Sequence, residues 1–179
     1  MVEQGDVSDA AKRMRVISWL DGVREAGARL ADIRDKLREM DEGIDGLSCA
    51  KLRKDGVRVS YTPDKIGSML AEREEVATRL TAEAEFAEGR LRDARRTLQA
   101  AWDRNAGTDD PAFAYLLHRY IDGMSQADAA RKVGATRWGA KLYPRRVAAL
   151  IYDSDPEKFP PTVDERFAEH GFGYWNFAG

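Results

Sequence analysis

The sequence predicts an all-α protein: a long antiparallel helical (coiled-coil) hairpin, then a three-helix helix-turn-helix domain, then an irregular tail. Three observations carry this reading. Apolar residues recur at steps of three and four along two long stretches. A segment after Pro111 holds the caps and tight turns of several short helices. Beyond Asp153, prolines and aromatic residues replace any helical period. The expected divisions are 8–104 for the hairpin, which would serve oligomerisation or partner binding, 110–152 for the helix-turn-helix domain, and 153–179 for an acidic, aromatic tail.

The first helical stripe runs through Val16, Leu20, Val23, Gly27, Leu30, Ile33, Leu37, Met40, Ile44 and Leu47. Ser8 is the expected N-cap, and Gly43 and Gly46 mark the end. Residues 45–62 break the pattern; Val57, Val59 and Tyr61 alternate with polar residues and suggest a short extended piece. Thr62-Pro63 reads as N-cap and first helical residue, with Asp64 favourable to the helix dipole. The second stripe follows Ile66, Met69, Leu70, Val76, Leu80, Ala84, Ala87, Leu91, Ala94, Leu98 and Ala101, and Arg73 interrupts it. At ~1.5 Å per residue a helix of about 40 residues spans ~60 Å, too long for a compact domain of this size. Neither helix can bury its stripe alone, so the two are expected to pair, with or without a second copy of the chain.

After the loop 105–111 the pattern shortens. Phe113, Leu116, Leu117, Tyr120 and Ile121 mark one buried face. Gly123 stops that helix, and Ser125 caps a second over Gln126–Lys132, in which Ala129 and Ala130 permit a close crossing. Val133-Gly134 forms a turn, and Thr136 caps a third helix that carries Arg137, Trp138, Lys141, Arg145 and Arg146. Held at a steep angle by the small residues, the third helix is placed to enter a DNA major groove. Arginine and lysine there meet phosphates, and arginine can bind guanine edges. The starts of the second and third helices, at Ser125 and Thr136, are further phosphate sites. The expected DNA-binding set is Ser125, Gln126, Arg131, Lys132, Thr136, Arg137, Trp138, Lys141, Arg145 and Arg146. Pro144 interrupts the third helix, removing a hydrogen bond and clashing at ~3 kcal/mol in an unbroken helix. Gly139 weakens the same stretch by ~1 kcal/mol relative to alanine. The helix is therefore expected to split, with one piece from Arg137 to Leu142 and another from Pro144 to Tyr152. Arg137, Trp138 and Lys141 would face the groove, and Arg145 and Arg146 the phosphates. Trp138 reads equally well as a core residue.

Charge supports this division. The whole chain has net charge −2. Residues 110–152 hold seven Lys/Arg against three Asp/Glu, net +4, whereas residues 153–179 hold two against six, net −4. The basic excess is thus confined to one segment. The composition, 34% charged and 43% apolar, excludes a wholly disordered chain, and no run is long enough for a membrane span. The polar start contains no signal peptide. With Cys49 as the sole cysteine, an internal disulfide is impossible, and a cytoplasmic location is expected. His118 and His170 are the only histidines, and no phosphate loop, nucleophile elbow or zinc-protease motif occurs. No enzyme, metal or cofactor is expected, and His118 reads as a partly buried structural residue.

The stretch Tyr115-Leu-Leu-His-Arg-Tyr-Ile-Asp-Gly-Met-Ser-Gln-Ala-Asp-Ala-Ala-Arg-Lys-Val-Gly134 resembles the sigma-factor-like helix-turn-helix of phage late transcription regulators of the ArpU and RinA type. Tyr120-Ile-Asp-Gly-Met-Ser125 matches the turn of that family. Asp64-Lys-Ile-Gly-Ser-Met-Leu70 is similar to the start of the second long helix in related prophage proteins. The likeness spans about residues 15 to 152; it is sharp only at the helix-turn-helix and leaves the tail after Asp153 without a counterpart. It implies a sequence-specific, oligomeric phage or prophage transcription regulator that binds double-stranded promoter DNA, with RNA polymerase as a further partner. Two other readings stay open at this point: a small-terminase-like packaging protein and a helical adaptor or inhibitor that binds protein only. The aromatic tail, from Phe167 to Phe177, would dock on the body or on a partner.

Overall fold

The computed structural model describes the backbone of residues 7–48 and 63–161 and the side chains of residues 7–42 and 67–161. The expectations for Cys49, for an extended piece at 57–61, for the Thr62 cap and for His170 and the aromatic residues from Phe167 onward lie outside these residues. Every element described is helical: α1 (Asp9–Ser48), α2 (Pro63–Arg104), α3 (Asp110–Leu116), α4 (Gln126–Lys132), α5 (Arg137–Ala140) and α6 (Tyr143–Ser154). A π-helical turn at Leu117–Ile121 extends α3, and a 3-10 turn at Pro156–Lys158 follows α6. Among the described residues no helix is long and apolar enough to cross a membrane.

The chain divides into two compact units, Ala26–Arg90 on one hand and Met1–Glu25 with Leu91–Gly179 on the other. In the unit Ala26–Arg90, Ala26, Leu30 and Ile33 of α1 and Leu80 and Ala87 of α2 are buried. Alanine at 87 leaves room for the facing helix. Arg29 donates to Glu83 at 2.6 Å, and Arg34 donates to Glu88 at 2.8 Å. Further along, Met40 lines a shallow groove with Val76 and Leu80. Arg73, which interrupts the apolar stripe, also lines this groove, and its Nη2 is buried without a hydrogen-bond partner among the described residues.

The other unit has a single core. Phe113 and Leu116 of α3, Ala129 and Ala130 of α4, Ala140 of α5, and Val147, Ala148 and Ile151 of α6 are buried together. Val16 and Leu20 of α1 and Leu98 and Ala101 of α2 belong to the same cluster. The core therefore crosses the division expected between residues 104 and 110. The reason is size. A segment of about 40 residues buries too little surface to stand alone, and the ends of the two long helices complete its covering. Ser8 caps α1 as expected, its Oγ accepting from the Ala11 N–H at 3.3 Å.

The chain after Asp153 begins as part of this body. Phe159 is 1% exposed. Its ring meets Trp19 edge-on at 5.3 Å between centroids and lies 5.8 Å from Tyr152. Lys158 donates to Asp93 at 2.6 Å and Thr97 at 3.0 Å, Lys12 pairs with Asp153 at 2.8 Å, and Arg104 donates to the Ser154 carbonyl at the end of α6. Asp153 and the Ser154 carbonyl at the end of α6 are thus both matched by cations of the same unit. Truncating Phe159 to alanine should lower unfolding stability by ~3 kcal/mol, the usual cost of emptying a buried aromatic site. Phe86, 71% exposed on α2, should tolerate the same change within about 0.5 kcal/mol. Equal shifts of the urea midpoint for the two variants would show that Phe159 is not a core residue.

Candidate nucleic-acid interface

The α4–turn–α5 segment is built from local hydrogen bonds. Ser125 takes an extended conformation before α4; its Oγ accepts from the Asp128 N–H at 3.1 Å and donates to the Asp128 carboxylate at 2.6 Å. Asp128 also pairs with Arg131. The chain leaves α4 through Gly134, whose φ of +68° suits glycine. The Ala135 N–H then reaches back to the Ala130 carbonyl at 2.9 Å, and the Gly134 N–H to Arg131 at 3.1 Å, closing the end of the helix. Thr136 repeats the cap for α5, accepting from the Gly139 N–H at 3.1 Å. A Cβ on residue 139 would lie 3.2 Å from the same Thr136 oxygen, so this glycine lets the cap close tightly.

Beyond α5 the backbone stays in the right-handed helical region at Lys141 and Leu142, and Pro144 then enters the first turn of α6. The third helix is split as its proline requires, although its first piece holds only Arg137–Ala140. Ala140, Val147, Ala148 and Ile151 face the core. Arg137, Trp138, Lys141, Leu142 and Arg145 are exposed, and they lie at and on both sides of the break between α5 and α6.

The expected site residues fall into three groups. Lys132, Arg137 and Arg145 are exposed and make no ion pair among the described residues. Trp138 is 77% exposed, so the core alternative for it is set aside; the Lys141 ammonium sits 4.3 Å from its ring centre. The remaining polar residues are engaged within the chain. Ser125 and Thr136 serve as caps, Arg131 pairs with Asp128, and Gln126 approaches the Arg137 carbonyl at 3.5 Å. Arg146 is exposed, pairs with Asp109 at 2.8 Å and lies over the Tyr143 ring. Asp109 has a φ of +63°, unusual for any residue but glycine. Leu142, 55% exposed beside Trp138, was not among the expected site residues. The four-residue step from Trp138 was the signal for it.

A second polar cluster steadies the turn before α4. The π-helical turn ends with the Asp122 N–H bonded to Leu117, and Gly123 follows with φ +70°. Arg119 donates to the Met124 carbonyl at 2.8 Å. Asp122 receives a hydrogen bond from Arg95 at 2.6 Å, and His118 Nδ1 lies 2.8 Å from its other oxygen. Partial burial works to raise the Asp122 carboxyl. The bonds from His118 and Arg95 outweigh it and leave the group below its ordinary value of 3.8. A carboxyl lowered on folding stabilises the fold above its ordinary value and loses that effect as pH falls through the lowered one. Asp122→Asn should therefore be less stable than the parent at neutral pH, and the gap should narrow on the acid side of 3.8. Urea midpoints measured across this range check it; a gap independent of pH would contradict the ion-pair account.

No protein-family model matches the chain, and no curated protein or solved structure shows significant similarity to it.

Proposed function

We propose that the segment 110–152 is a helix-turn-helix that binds double-stranded DNA, and that the chain is a sequence-specific transcription regulator of the phage-encoded ArpU and RinA type. The observation that carries this reading is the side of α5 and the start of α6. Arg137 and Arg145 are exposed there without ion-pair partners among the described residues, near Trp138 and its stacked Lys141, on a segment capped at both turns. Such a face supplies cations for phosphates without first breaking internal ion pairs. Lys132, at the end of α4, adds a further exposed charge with no ion pair among the described residues.

Arg146 is assigned to folding, because Asp109 neutralises it. Ser125 and Thr136 position the two helices through their caps. The helical hairpin serves self-association. Met69 and Val76, seven residues apart on α2, and Leu70 are all more than a third exposed, and an apolar stripe at this spacing suits a second helix. RNA polymerase is the further partner that the family resemblance suggests, and the protein acts in the cytoplasm.

Replacing Arg137 and Lys141 together by alanine should weaken duplex binding at least ~10-fold at physiological salt. It should also reduce the slope of log affinity against log salt by about 2, one for each lost phosphate contact. Fluorescence polarisation over a salt series measures both, and circular dichroism confirms unchanged helicity. Binding equal to the parent's would remove this face from the site. No binding to any duplex at low salt would leave the protein-only adaptor as the better reading, and ring assemblies of many copies would favour the packaging protein.

A further inference from the structure

We propose that Trp138 and Leu142 form an apolar reading pair that recognises thymine methyl groups in the major groove; this rests on the DNA-binding reading above. Both side chains are large, apolar and exposed, at 77% and 55%. They stand four residues apart, and the Leu142 N–H bonded to the Gly139 carbonyl at 3.1 Å closes the turn between them. Lys141 lies against the Trp138 ring and restricts it before any partner arrives, which reduces the entropy lost on binding.

The chemistry of the neighbourhood narrows the occupant. Arg137 and Arg145, exposed and without ion-pair partners among the described residues, flank the apolar pair, so the matching surface is anionic at its edges and apolar at its centre. A DNA major groove has phosphates at its rims, and the C5-methyl of thymine is the apolar group it presents on its floor. Neighbours at this helical spacing have Cβ atoms ~5–6 Å apart, while successive bases rise by ~3.4 Å. The pair can therefore cover methyls one or two base pairs apart, and the bound sequence should contain thymines at that separation.

The full-length protein is used to select duplexes from a pool with a randomised centre. The enriched site is then remade with deoxyuridine in place of thymine, one position at a time, which removes the methyl and keeps the base pairing. Affinity should fall about fourfold for each contacted methyl, the effect of burying one methyl-sized group. The loss should occur at one or two positions and disappear in Trp138→Ala/Leu142→Ala, whose circular dichroism should match the parent's because neither side chain is in the core. A site that binds deoxyuridine as well as thymine at every position would overturn the reading pair and leave DNA binding standing. So would a methyl effect of the same size in the double variant. Failure to enrich any sequence would instead overturn the sequence-specific DNA reading, and the pair with it.

Discussion

A helix of four residues cannot hold itself in place, yet α5 carries the exposed Arg137 and Trp138. Helix formation is costly at its first turn, so α5 depends on its surroundings. The Thr136 cap fixes one end, and Ala140 sits fully buried against the common core. That core depends in turn on Val16, Leu20, Leu98 and Ala101, supplied by the two long helices. The position of Trp138 and Arg137 thus rests on apolar contacts from both long helices as well as from the short ones. This dependence separates the two kinds of basic residue in the segment. Arg146 pairs with Asp109 and Arg131 with Asp128, whereas Arg137 and Arg145 make no ion pair among the described residues.

Local chemistry was the legible part of the sequence. Ser8, Ser125 and Thr136 are short polar residues placed where a helix must begin, and Gly123 and Gly134 stand where φ must be positive. The break at Pro144 follows from one missing N–H. These features act over a few residues, so spacing alone reveals them. The all-helical class follows from the same kind of signal, the period of the apolar residues.

The tertiary partners were not legible. Phe159 sits among prolines in a segment without a period, and its burial depends on Trp19, 140 positions away in the chain. Sequence spacing is silent about such a contact. The Arg146–Asp109 pair is hidden for the same reason: the basic residue shares a segment with the exposed cations, and the acid that neutralises it lies in a loop. The side of α5 was ambiguous for a different reason. A single turn has too few residues for a period, so Trp138 read as core and surface alike until the burial of Ala140 resolved it.

The tight cap at Thr136 has a further effect on the molecule's outer contour. Because a Cβ at position 139 would lie 3.2 Å from the cap oxygen, the exposed stretch beside Trp138 in the chain carries bare main chain at that position. A substitution there would therefore change the helix start and the local outline together.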